Sequence, residues 1–307
     1  MEKKYFADKI IDALNGDVEN IELVSETSNV VYRVRTKKYG DVYAKFYLNK
    51  SSHIDHEMYL YSILDSKYLK EVITSSDEPK FAIFKELKGK TLDELSLDEV
   101  AQYKNKIIES LIYFYDTVGC NKANGYGLLD ENLNGKSSDF LDFIIKRQTE
   151  TQDVLKDYFI LNNAFSVIFE KYKELIVGDN SLVPIDTNAK NIMVCDDSEV
   201  RFIDPGELIS APKLMGYGDF AAHTYKTEFY DTLISKLNLD NDDLKRLRIY
   251  AIFSSLNILA FLKKLGVNNL EEVIPYGNHY TFLSLIIDHL EELGFEIDEK
   301  NEKIKIK

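Results

Sequence analysis

An Asp and an Asn five positions apart, Asp186 and Asn191, stand in the stretch Pro184-Ile185-Asp186-Thr187-Asn188-Ala189-Lys190-Asn191, and Ile192-Met193-Val194 follows directly. After a short polar turn comes Arg201-Phe202-Ile203-Asp204-Pro205-Gly206-Glu207. Two apolar runs separated by polar residues read as a hairpin. Such a hairpin returns Asp204 toward the loop that carries Asp186 and Asn191. Three oxygen-bearing side chains then meet, and hard oxygen donors suit Mg2+. The residues alone also fit a plainer description, two Asx turns flanking an ordinary hairpin.

The N-terminal part supplies an independent signal. Lys3 to Leu14 has helical spacing and is closed by Gly16. Ile21–Val24, Val30–Arg35 and Asp41–Tyr47 are rich in β-branched and aromatic residues, and Lys37-Lys38-Tyr39-Gly40 forms a turn between the last two. Lys45 falls among the apolar residues of the third run. A charge in such a place needs a partner, and Glu57, on a helix expected over Ile54–Leu64, is the natural one. The polar stretch Ser25-Glu26-Thr27-Ser28-Asn29 could offer hydrogen-bond donors to phosphate oxygens. Phe81–Leu87 reads as a buried strand ended by Gly89. From about Thr91 the period becomes helical, with helices expected over Val100–Val118, within Phe140–Glu174, and from Asp219 to Leu293 with breaks near Leu265-Gly266 and Pro275-Gly277. The tail from Phe295 reads as a short edge hairpin or a frayed end.

Composition narrows the function classes. The chain has 307 residues, enough for two lobes around a cleft. Its net charge of −14 opposes binding to nucleic acid, which demands a basic surface. No apolar run is long enough to cross a bilayer, so no membrane role is expected. The opening residues lack the layout of a secretion signal. Two widely spaced cysteines give neither a disulfide framework nor a metal spacing, and a cytoplasmic location is expected. His53 and His56 lack a third ligand and read as surface residues. Oligomeric state is left open.

In their order, these motifs resemble the aminoglycoside phosphotransferase and choline kinase superfamily, over roughly Ile21 to Tyr225. The matching stretches are Ser28–Val34, Ala44-Lys45 with Glu57, Phe84–Leu92 including Gly89-Lys90-Thr91-Leu92, Asp186–Asn191, Ile203–Gly206 and Gly218-Asp219-Phe220-Ala221. The resemblance implies an α+β, bilobal, protein-kinase-like fold. Its small N-terminal lobe would hold an antiparallel sheet and one helix, and its larger lobe would be mainly helical. Residues 1–88 would form the nucleotide-binding lobe and 89–307 the catalytic and substrate-binding lobe. Asp186 would be the base or the group orienting the acceptor hydroxyl, and Asn191 and Asp204 would hold Mg2+. Lys45, paired with Glu57, would contact the nucleotide phosphates together with the Ser28-Asn29 loop. Main-chain groups of Lys85 and Leu87 would bind the base of ATP or GTP, and Phe84 would be the gatekeeper. Asp219 would buttress the catalytic loop from a helix start.

Two departures stand out. Pro184-Ile185 replaces the usual His-Gly before the catalytic Asp, removing a side chain that fastens the loop, and Pro205 replaces an aromatic residue. The short span from Asp204 to Asp219 leaves no room for a peptide-docking segment, so the acceptor is expected to be a small hydroxylated molecule. Three readings follow. The first is a kinase for a cationic aminoglycoside or amino sugar, a resistance function, with Glu207, Asp219, Glu271 and Glu272 as candidate carboxylates. The second is a metabolic kinase for choline, a sugar or a glycated amine. The third is a kinase-like binding protein without turnover.

Overall fold

The computed structural model describes residues 2–26, 29–48, 53–205 and 208–306. Helix α1 (Glu2–Ala13) leads into β1 (Asn20–Glu26), β2 (Asn29–Thr36) and β3 (Gly40–Tyr47). Strands β2 and β3 alternate in burial near their start, and the end of β3 is buried on both faces. Helix α2 (His53–Ile63) crosses behind the sheet, which β4 (Val72–Asp77) and β5 (Lys80–Lys85) complete. The five strands are antiparallel in the order β1-β2-β3-β5-β4. Ile10 and Leu14 join Val30, Val34, Val42 and Phe46 in a small core on one face of this sheet.

The chain then passes into a helical part through β6 (Gly89–Thr91). Gly89 does not simply end the preceding strand. It opens β6, pairs with Cys195, and has φ +153°. A Cβ at Gly89 would lie 2.2 Å from the Val194 carbonyl oxygen, so only glycine fits. Helix α3 (Leu97–Gly119) starts at a capping box formed by Ser96 and Glu99. After it come β7 (Tyr126–Leu129), β8 (Gly135–Ser137), α4 (Phe140–Leu155) and α5 (Phe159–Tyr172). Next are β9 (Ser181–Pro184), β10 (Ile192–Cys195), β11 (Val200–Phe202) and β12 (Leu208–Ala211). The hairpin β10-β11 pairs on its other side with β6, and β12 lies between β7 and β9. Helices α6 (Lys213–Thr224), α7 (Glu228–Leu237), α8 (Asn241–Lys264) and α9 (Phe282–Glu292) form the large core with α3, and β13 (Phe295–Asp298) and β14 (Lys303–Ile306) close the chain as a hairpin.

The expected fold class is the observed one: a small antiparallel sheet with α2, then a mainly helical lobe. The surface reading of His56 needs correction. His56 is fully buried, and its Nε2 lies 2.9 Å from the Asp130 carbonyl oxygen, which ties α2 to the large lobe. Leu60 and Leu64 of α2 are buried in the large core. No described helix is long and apolar enough to cross a membrane.

Candidate active site

The sheet sets the first group. Lys45 lies on β3 between β2 and β5, and its buried Nζ donates to Glu57 Oε2 at 3.2 Å and to Asp204 Oδ2 at 3.0 Å. Residues 12 and 159 positions away thus meet at one ammonium. Burial alone would push the Lys45 pKa down, but the two carboxylates outweigh it and hold the pKa above the ordinary lysine value. Tyr47 donates to the same Glu57 oxygen at 2.5 Å.

Sequence reading missed a second lysine here. Lys70 is buried, with Nζ 3.3 Å from Glu57 Oε1 and 3.7 Å from the centre of the Phe84 ring. Glu57 therefore holds two ammoniums, one on each oxygen. Burial, with some repulsion from Lys45, drives the Lys70 pKa down. Nothing in the spacing Lys70-Glu71-Val72 pointed inward, because the contacts are made to Glu57 on α2 and Phe84 on β5. Phe84 is buried and stacks on Tyr61 at 6.0 Å.

The segment after Phe84 leaves its edge partly open. The Lys85 amide donates to Glu71 O, and Glu86 N to Asp41 O, while the Leu87 amide makes no hydrogen bond among the described residues. Asn29 begins β2 opposite Tyr47. Ser28 and Glu207 lie outside the described residues.

The loop between β9 and β10 carries the second group. Asp186 has φ +63°, a left-handed conformation that Asp tolerates better than most residues and that still costs on the order of 1 kcal/mol or more. Several contacts hold it. Asn188 Nδ2 donates to Asp186 Oδ1 at 2.7 Å, and Asn191 Nδ2 donates to the Asp186 carbonyl at 2.8 Å. The Thr187 amide donates to Asp219 Oδ2 at 3.2 Å, Ser254 Oγ donates to Asp219 Oδ1 at 2.5 Å, and the Tyr115 hydroxyl meets Thr187 Oγ1 at 2.6 Å. Asp219 is thus a buttress, but from the interior of α6 rather than from a helix start. Tyr115, Asn188 and Ser254 fasten the loop in place. The Leu92 amide donates to Ala189 O, fixing the loop against the segment after β6.

Burial is the largest influence on Asp186 and pushes its carboxyl above the ordinary value of 3.8, while the Asn188 bond pulls it down. Asp219, His223 and Asp204 are near enough to act on it electrostatically. Asn191 turns Nδ2 toward Asp186, which leaves its amide oxygen for a cation. Asp204 has a half-exposed carboxylate. These two hard oxygens fit Mg2+, which characteristically takes one or two protein oxygens and completes its shell with phosphates and water. Among the described residues, no group of three or more His, Cys, Asp or Glu is placed to hold a metal ion.

A cavity of about 720 Å³ opens beside Asp186 and Asn188. Asp219 also lines it, but its carboxylate is engaged with Thr187 and Ser254. Glu271 and Glu272 stand exposed on a short turn outside the lining.

No family model and no curated protein matches this sequence. Solved structures do match. A thermostable mutant of aminoglycoside phosphotransferase APH(4)-Ia, in ternary complex with AMP-PNP and hygromycin B, superposes with a TM-score of 0.65 at 14% identity, over 84% of this chain and 91% of that one. Choline kinase LicA from Streptococcus pneumoniae gives 0.64 at 14% identity, over 95% and 99%. A putative fructosamine-3-kinase from Haemophilus somnus 129PT gives 0.58 at 11%, over 92% and 96%. The chain has the protein-kinase-like fold that these proteins share.

Proposed function

We propose that this chain is a small-molecule kinase that transfers the γ-phosphoryl group of ATP to an alcohol. The observation that carries it is the single ammonium of Lys45 joining Glu57 of the small lobe to Asp204 of the large lobe, beside Asp186, whose backbone is held in a left-handed conformation. A structural ion pair needs no third partner from another lobe, whereas a phosphate-binding lysine poised over a metal-binding carboxylate has this form. In this reading residues 1–88 bind the nucleotide and residues 89–307 supply the catalytic loop and the acceptor site.

The steps follow from the residues. Lys45, kept charged by its partners, contacts the α- and β-phosphates. The Leu87 amide and the Lys85 carbonyl hydrogen bond the adenine edge, with Phe84 closing the rear. Asn191 and Asp204 would hold Mg2+, which when bound neutralises phosphate oxygens. Asp186 accepts a hydrogen bond from the acceptor hydroxyl and orients its oxygen toward the γ-phosphorus. As the new O–P bond forms, the bond from phosphorus to the β–γ bridging oxygen breaks. ADP leaves with that oxygen, and the hydroxyl proton passes to Asp186.

Thermal unfolding with ATP tests the nucleotide site. ATP with Mg2+ is expected to raise the midpoint by several degrees, and ATP with EDTA by much less. Asp186→Asn keeps that shift and lowers turnover at least about 100-fold, as loss of a catalytic base does. A midpoint indifferent to Mg-ATP would reduce the chain to a kinase-shaped binding protein.

A further inference from the structure

The walls of the cavity beside Asp186 are unlike what a cationic, hydroxyl-rich acceptor requires. Leu128, Phe143, Ile258, Phe261, Leu262 and Phe282 line it, with further aliphatic side chains from the turn before α9. Its volume, about 720 Å³, falls within the range of sites that enclose a drug-sized ligand. Apolar surface continues to the mouth. Phe261 is 60% exposed, Tyr276 54% and Ile274 49%, although all three border the cavity. Large apolar groups gathered in the open around a concavity mark a binding site more often than a folding requirement.

The polar groups in the cavity are few and specific. His223 is buried, edge-on to Phe282, and neither of its ring nitrogens has a hydrogen-bond partner. A buried, unpartnered imidazole costs stability unless a ligand completes it, and it offers one donor and one acceptor. Arg147, on α4, makes no hydrogen bond or ion pair among the described residues. Its guanidinium favours an anionic or carbonyl oxygen and repels an ammonium. Of the carboxylates that line the cavity, Asp219 is engaged on both oxygens by Thr187 and Ser254, and Asp186, held on one oxygen by Asn188, is the group that takes the acceptor hydroxyl.

We propose that the acceptor is an alcohol borne on a largely apolar body, neutral or anionic rather than cationic, with its hydroxyl between Asp186 and His223 and an anionic or carbonyl oxygen on Arg147. This rests on the kinase reading, whose transfer step it shares, and it narrows the acceptor class. A polycationic antibiotic would bury its ammoniums against apolar walls and an arginine. Choline would meet no carboxylate beyond the one that takes its hydroxyl.

The test uses the full-length protein with Mg-ATP and follows ADP release and phosphorylated product. The acceptors are ω-hydroxydecanoate, decanol, kanamycin and choline. The expected order of kcat/KM is ω-hydroxydecanoate above decanol, with kanamycin and choline lowest. Arg147→Met should raise KM for ω-hydroxydecanoate about tenfold, the loss of one charged contact, and leave decanol nearly unchanged. His223→Leu should lower kcat/KM for both alcohols while leaving the Mg-ATP thermal shift intact. Kanamycin or choline outrunning both alcohols would overturn the proposal. So would a chain that binds Mg-ATP yet neither phosphorylates ω-hydroxydecanoate nor gives heat with it in calorimetry. A chain that fails to bind Mg-ATP would instead sink the kinase reading beneath it.

Discussion

Asp186 combines three properties that seldom coincide in a residue with only a structural role. Its backbone is left-handed, its carboxyl faces the cleft yet is desolvated enough by its surroundings to have a raised pKa, and two asparagines donate to it. The Asn188 bond stabilises the charged form and so opposes burial. A base works only when ionised, and its ionised fraction falls as pH drops through its pKa. A raised pKa therefore moves the acid-side loss of kcat to higher pH than an ordinary aspartate would give. Asn188→Ala removes the contact that lowers this pKa, so the acid limb should move higher still. A pH profile of kcat for wild type and variant measures it, and a limb that stays put or moves lower contradicts the role given to Asp186. Nearby, Glu57 illustrates a different constraint. Removing it would leave Lys45 and Lys70 buried and facing each other, a loss of the class that costs about 3–5 kcal/mol.

Helices α6 and α8 position Asp219, and they do so by close approach. A Cβ on Gly218 would lie 2.7 Å from Tyr250 Cβ and 3.0 Å from the Ala251 nitrogen, and one on Gly216 would lie 2.4 Å from Tyr115 Cε1. Gly218→Ala gains up to about 1 kcal/mol of helix propensity. The clash is partly with backbone, which cannot turn aside, and overpacking of this kind costs about 1–3 kcal/mol. The clash should win: Gly218→Ala is expected to unfold a few degrees lower and to lose kcat as Asp219 shifts from Thr187. Calorimetry with steady-state kinetics decides it, and a midpoint at or above wild type would show the helices free to separate. The same scale shows what the sequence could and could not tell. Helix α3 and the small-lobe hairpins are legible because their periodicity and turn residues are strong and local. Strand β4 was missed because Thr74, Ser75 and Ser76 give it a polar pattern, and its strand character comes from pairing with β5. Strands β6 and β7 are likewise defined by partners distant in sequence, β10 and β12, and β8 pairs locally with β7 but is only three residues long. The Asp186, Asn191 and Asp204 pattern was legible because its spacing lies in one hairpin. Lys70, Tyr115, His223 and Arg147 were not, because each acts through contacts made only after the helices pack.

Two buried clusters hold the molecule together, but they do not divide it at the end of β5. The small core lies between α1 and the sheet, while Leu60, Leu64 and Leu69 of the α2 region are buried with the large lobe. His56 and the Lys45–Asp204 pair cross the same boundary. An interface built from core leucines and a buried ammonium couples the unfolding of the two parts, so neither opens without exposing apolar surface of the other. Urea unfolding of the whole chain should therefore be one transition, read alike by hydrogen exchange in β2-β3 and in α8. Mg-ATP at 100 times its dissociation constant should raise both by the same free energy, about 2.7 kcal/mol. Asp204→Ala should lose the magnesium-dependent part of that gain in both places, because Asp204 is where the large lobe reaches the ammonium of the small one. Two separated transitions, with nucleotide protecting β2-β3 alone, would mean that α2 is no bridge and that the cleft is assembled by the nucleotide rather than built into the apo chain.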